Sequence, residues 1–122
     1  MNWKFESDRP IYVQLVEQMK LRIIAGTYPP GSKLESVRDL AAQAGVNPNT
    51  MQKAMAELER DGLVFTQRTA GRFITEDTDM IQQMKKSFAL KEIQEFLQKM
   101  QRLGLSKEEI ITILESEQEE TV

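Results

Sequence analysis

The chain contains neither cysteine nor histidine. Without cysteine there is no disulfide framework, no zinc knuckle and no thiol nucleophile. Without histidine the commonest general base and the commonest metal ligand are missing too. No Gly-rich phosphate loop and no paired-carboxylate cleft fills the gap, so the residues argue against an enzyme and call for no cofactor or metal. Long apolar runs are also absent: none reaches the roughly 18 residues of a membrane span, and "MNWKFESDRP" lacks the apolar core of a secretory signal. The expectation is a cytoplasmic protein with no membrane partner.

What is present divides in two. The formal net charge is −3 over 122 residues, which taken alone argues against nucleic acid. Residues 1 to 75 nevertheless carry ten Lys/Arg against eight Asp/Glu, and residues 76 to 122 carry six against eleven. The first part is mildly basic (+2) and the second acidic (−5), so they have different duties. The reading is a domain over 1–76 and a helical region over 77–122.

Helical periodicity opens at Pro10, which suits a first turn, and continues through Tyr12, Leu15, Val16, Met19 and Ile23. Gly26 and the rigid "TYPPG" turn end it. A second helix starts at the N-cap Ser36, with Asp39 in a weak capping box, and closes at Gly45. A third begins with Asn47 as cap and Pro48 as first residue, and runs to about Asp61. Past Gly62 the period changes: "LVFTQ" and "GRFIT" read as a small hairpin. Ala41, Gly45 and Met51 supply the small residue, turn glycine and buried anchor of a helix-turn-helix. The fold class is therefore mainly α: a winged helix-turn-helix of three helices plus a β-hairpin wing, followed by a two-helix tail.

In that tail Ala89, Ile93, Phe96, Met100 and Leu103 keep the rhythm of a helix–helix seam, widened by Leu90 and Leu97. Gly104 breaks it, and Ser106 with Glu109 forms a capping box for a last helix bearing Ile110, Ile113 and Leu114. The final "ESEQEETV" reads as a frayed end. Phe88, Ile93, Phe96, Leu97, Met100, Leu103, Ile110 and Leu114 are the expected dimer interface. The tail methionines could instead line a pocket for a small-molecule effector, although no polar constellation marks its class.

At about 100° per residue, Met51, Ala54, Met55 and Leu58 cluster about 190° away from Asn49 on the third helix. Asn49, Gln52, Lys53 and Ala56 take the opposite side. An α-helix fits the major groove, where Asn and Gln pair with adenine and Lys with guanine or phosphate. A polar helix face is ordinarily just solvated, and Ser36 and Asn47 are caps first. Arg68 and Arg72, flanking the hairpin tip, add backbone or minor-groove contacts to the same side. Convergence around one helix favours DNA.

The segment Pro10 to Ile74, with "PIYVQL", "GSKLESVRDLA", "GVNPNT" and "LERDGL" in order, resembles the amino-terminal domain of GntR-family transcriptional regulators. "VNPNT" and the short tail point to the YtrA-type subgroup, in which two carboxy-terminal helices dimerise. The resemblance implies a homodimeric repressor, often of transporter operons. It places Ser36, Arg38, Asn47, Asn49, Thr50, Gln52, Lys53 and Gly71 on the DNA. Two positions depart from the family pattern: Glu35 replaces a proline, and Thr69 replaces the first glycine of the wing. The expected partners are an inverted-repeat DNA operator and a second copy of the chain. The alternative is a winged-helix adaptor that binds protein and no operator.

Overall fold

The computed structural model describes residues 3–121, and the side chains of 118–121 lie outside that description. Its elements run α1 (Ile11–Ile24), α2 (Val37–Ala44), α3 (Pro48–Arg60), β1 (Val64–Gln67), β2 (Gly71–Ile74), α4 (Thr78–Arg102) and α5 (Lys107–Thr121). The chain is a mainly helical winged helix-turn-helix with a helical tail. Two compact units divide it, Met1–Gln83 and Met84–Val122.

Local chemistry sets the helix ends. Ser36 Oγ accepts from the Asp39 N–H (3.1 Å), and Asn47 Oδ1 accepts from the Asn49 N–H (2.7 Å). Each satisfies one orphan donor of a first turn. Gly45 adopts φ 71° and ψ 35°, which lets its N–H reach Ala42 O (3.3 Å) and the Val46 N–H reach Ala41 O (3.0 Å). That bond pair is the Schellman closure, and it turns the chain directly into α3. The same pattern recurs after α3, from Gly62 to Glu59 O and from Leu63 to Leu58 O.

The first unit's core takes one stripe from each helix. Leu15, Met19 and Ile23 of α1 meet Leu40 and Ala41 of α2 and Met51, Ala54, Met55 and Leu58 of α3, all at most 1% exposed. Each large side chain contributes about 1.5–3 kcal/mol on burial. Leu34, Leu63, Val64 and Ile74 carry this core under the hairpin. The unit extends past Glu76 into α4, where Ile81 is buried, so the compact boundary falls inside a helix rather than before it.

Two features go beyond the sequence reading. Gln14 is buried and clamps the amino-terminal segment: its Nε2 donates to Glu6 O and Arg9 O, and its Oε1 accepts from the Glu6 N–H. Gln18 Nε2 holds Lys4 O, and the Arg22 guanidinium lies 3.5 Å from the Trp3 ring centre. The second is a third edge to the wing. β1 and β2 pair antiparallel from Val64↔Ile74 to Gln67↔Gly71. Beyond β2, Lys33 bridges Phe73, Leu34 N–H donates to Arg72 O (2.9 Å), and Ile74 N–H donates to Ser32 O (2.9 Å). The stretch that follows the "TYPPG" turn is thus a strand-like edge.

In the second unit, Ser106 and Glu109 make the reciprocal capping box, at 3.0 and 3.2 Å. Ile110 is buried within the single chain, while Leu97 and Met100 are half-buried. Phe88, Ile93, Phe96, Leu103 and Leu114 are exposed, as are Leu90, Ile111 and Ile113. Among the residues expected at a dimer seam, Ile110 is thus the one that the single chain already buries. The end expected to fray is helical through Thr121; Val122 lies outside the described residues.

Candidate nucleic-acid interface

α3 separates its two sides as the angular argument requires. Met51, Ala54, Met55 and Leu58 are buried; Asn49, Gln52, Lys53 and Ala56 are exposed, and Thr50 is half-buried. Nothing in the core needs these four. They form a ridge with a small residue, Ala56, in its middle, a shape that permits close approach to a groove floor.

The structure gives several expected contacts a defined posture. Asn47 and Ser36 spend one side-chain oxygen each on capping, leaving the Asn47 amide N–H groups and the Ser36 hydroxyl proton as donors. Lys53 Nζ lies 3.8 Å from the centre of the Tyr12 ring, a cation–π contact that reaches from α3 to α1. Ile11, Tyr12, Asn49, Thr50 and Lys53 together line one shallow depression at the start of α3. Arg38 and Arg68 are exposed, with no ion pair among the described residues.

Arg72 has a different duty from Arg68. Its Nε donates to Glu59 Oε1 at 2.8 Å, and one terminal nitrogen reaches Gln52 Oε1 at 3.5 Å. Thr66 Oγ1 donates to the same Glu59 oxygen. Thr66 and Arg72 are directly paired across the hairpin, so both project from one face of it onto α3. Burial alone would raise the Glu59 carboxyl; the bonds from Thr66 and Arg72, with the charge of Arg72, outweigh it and hold it below the usual carboxylate range. Arg72 therefore braces the wing against α3, whereas Arg68 is exposed without an ion pair among the described residues.

The two departures from the family pattern are also placed. The Glu35 carboxylate accepts a hydrogen bond from Gln43 Nε2, which directs it along α2. At the tip, Ala70 N–H donates to Gln67 O (3.1 Å), closing the turn without the first glycine. Gly71 keeps φ 106°, a conformation that disfavours any side chain. Tyr12 and Glu59 were not singled out from sequence. Tyr12 read as one more member of an apolar stripe, and Glu59 stood only inside the "LERDGL" motif, with no role of its own. The described residues include no cluster arranged to hold a metal, and no helix long and apolar enough to cross a membrane.

Comparison with known proteins agrees with this geometry. The family pattern of bacterial regulatory proteins, gntR family, matches residues 11–74. The transcriptional regulator YhcF of Bacillus subtilis is 40% identical over 111 residues, covering 91% of this chain and 92% of that protein. The transcriptional repressor YtrA of the same organism is 48% identical over 71 residues, 58% of this chain and 55% of its own length. Among solved structures, a GntR family transcriptional regulator from Listeria monocytogenes superposes with TM-score 0.82 at 40% identity, over 92% of this chain and 98% of that one. The DNA-binding domain of AraR, solved in complex with operator ORX1, superposes with TM-score 0.55 at 26% identity, over 62% and 99% of the two chains. The match over Ile11–Ile74, the exposed polar ridge of α3 and the braced wing lead to one conclusion: the chain belongs to the GntR family of DNA-binding transcriptional regulators.

Proposed function

We propose that the protein is a homodimeric repressor in the cytoplasm that reads an inverted-repeat operator with α3 in the major groove. The observation that carries the reading is the ridge Asn49–Gln52–Lys53–Ala56, exposed while the opposite side of α3 is buried. Asn49 and Gln52 supply base-edge contacts, and Lys53, Arg38, Arg68, Ser36 and Thr50 hold the backbone that sets the register. Gly71 brings the wing backbone close to the duplex. The operator complex of the AraR domain supports DNA as the partner, and the repressor YtrA supports the direction of control. The resemblance to the YtrA-type subgroup extends the proposal to an operon of transporter type.

Dimerisation follows from an uncovered face. Of the 25 residues of α4, Ile81 alone is buried, although Phe88, Leu90, Ile93 and Phe96, and Leu103 just past its end, are apolar. A face of this size on an otherwise polar helix calls for a cover, and a second copy supplies an identical one. Two α3 helices related by a two-fold axis then meet half-sites one helical turn, or a multiple of it, apart.

Selection from a random duplex pool with the full chain tests the proposal. Enrichment of a two-fold symmetric site, lost with Gln52→Ala, is the expected result. A pool that stays random after successive rounds, or enrichment of a single unrepeated half-site, contradicts it. The first outcome leaves a protein-binding adaptor as the better description.

A further inference from the structure

One cation on this surface lies inside the "GSKLESVRDLA" motif, yet neither the helix-turn-helix spacing nor the positions carried over from the family gives it a role. Lys33 stands on the edge that pairs with β2, bridged to Phe73. The hydrogen bonds on either side of it, from Ile74 to Ser32 O and from Leu34 to Arg72 O, are both 2.9 Å, so its backbone is held in register with the wing. From that fixed start the stem crosses Gly71. A Cβ added at Gly71 would stand 3.2 Å from Lys33 Cε and 3.9 Å from Nζ. The missing side chain at Gly71 therefore makes room for the lysine, a second use for this glycine beside its positive φ.

The groove that Lys33 enters lies between the wing and the start of α2, where Ser36, Gly71 and Arg72 also line it. All three are positions that the sequence reading places at the DNA. Arg72 is committed to Glu59, and the acid lining the groove, Glu35, is engaged by Gln43. Lys33 is exposed and has no ion pair among the described residues. An unneutralised ammonium in an open groove, flanked by a hydroxyl and a bare backbone, matches one ligand chemistry, a phosphodiester oxygen of a passing strand.

We propose that Lys33 is the wing's phosphate contact, holding the DNA backbone between Gly71 and Ser36. It supplies there the charge that Arg72 gives to Glu59 instead. A lysine acts as a point charge without a fixed fork, so the contact adds affinity and no base preference. This rests on the DNA reading of the preceding section.

The test titrates fluorescent duplexes with the full chain at a series of salt concentrations, using one mixed-sequence duplex and the duplex recovered by selection. The variants are Lys33→Gln, Lys33→Arg and, as a comparator for the DNA reading, Arg38→Gln. Lys33→Gln is expected to weaken both duplexes alike, about fivefold to tenfold. It should also flatten the slope of log K against log salt by about 0.9 for each protomer bound. Lys33→Arg keeps the wild-type slope, and the melting curves of both variants match wild type because Lys33 supports no ion pair. If Lys33→Gln changes neither affinity nor slope while Arg38→Gln lowers both, the Lys33 proposal fails and the DNA reading stands. A loss confined to the selected duplex also overturns it, because the lysine would then be reading a base. If wild type itself shows no salt-sensitive binding, the DNA reading fails and takes Lys33 with it.

Discussion

Glu59 illustrates how much can hang on one side chain. It takes hydrogen bonds from two residues of the hairpin while standing on α3, so one carboxylate fixes the angle between wing and recognition helix. Replacing it by glutamine should cost about 1–2 kcal/mol at neutral pH, the worth of charge-assisted bonds in a partly buried site. The pH dependence has a definite sign. The folded carboxyl lies below its ordinary value, so its contribution is complete above the unfolded value of about 4.3 and is lost as pH falls through the folded one. Urea denaturation of wild type and Glu59→Gln should therefore show a stability gap that closes in acid; a gap unchanged at pH 3 would refute the assignment. Tyr12 makes a similar case from α1. Its ring steadies the Lys53 ammonium, so Tyr12→Leu should weaken DNA binding by about twofold to fivefold, while Tyr12→Phe, which keeps the ring face, should leave most of it. Equal losses in the two variants would mean that the hydroxyl, not the ring, matters.

At the level of the elements, caps and closures decide where each helix begins and ends. Gly45 has open space where a Cβ would go, so the cost of Gly45→Ala is conformational alone, about 1 kcal/mol in thermal or chemical denaturation. A neutral outcome would mean that the turn can relax. Met51→Ala should cost about 2–5 kcal/mol, since the residue is fully buried where α2 crosses α3. The helices were legible in the sequence because their signals are local: a Ser or Asn cap, a terminal glycine and an apolar stripe all lie within a few residues of what they control. The exposed side of α3 was legible for the same reason, because a helical period fixes both faces at once. What was not legible depends on residues far apart in the chain. Nothing near Gln14 announces that its amide clamps Glu6, and nothing near Arg72 announces Glu59, thirteen residues earlier. The edge at Ser32–Leu34 is hidden because Pro29, Pro30 and Gly31 dominate any local reading of it. The extent of the first compact unit, to Gln83, was not legible either, for the burial of Ile81 shows only once α4 is placed.

For the molecule as a whole, charge and exposure describe a division of labour. The mildly basic part carries the α3 ridge, and the acidic part carries an apolar face that the single chain leaves open. An acidic tail opposes DNA, which suits the proposal that this region pairs chains. Ile93 and Phe96 sit on that face, 52% and 40% exposed, so a glutamate at either should cost the chain alone little and the dimer much. Ile93→Glu or Phe96→Glu is expected to sediment as a monomer with an unaltered helical spectrum. A variant that stays dimeric would move the interface elsewhere.

The most direct test of a paired regulator is the stoichiometry of the DNA complex, read by anisotropy and sedimentation on the selected duplex and on a scrambled one. Two chains per selected duplex, with affinity that falls steeply with salt and exceeds that for the scrambled sequence, is the predicted result. One chain per duplex, or the same weak affinity for both sequences, would contradict it.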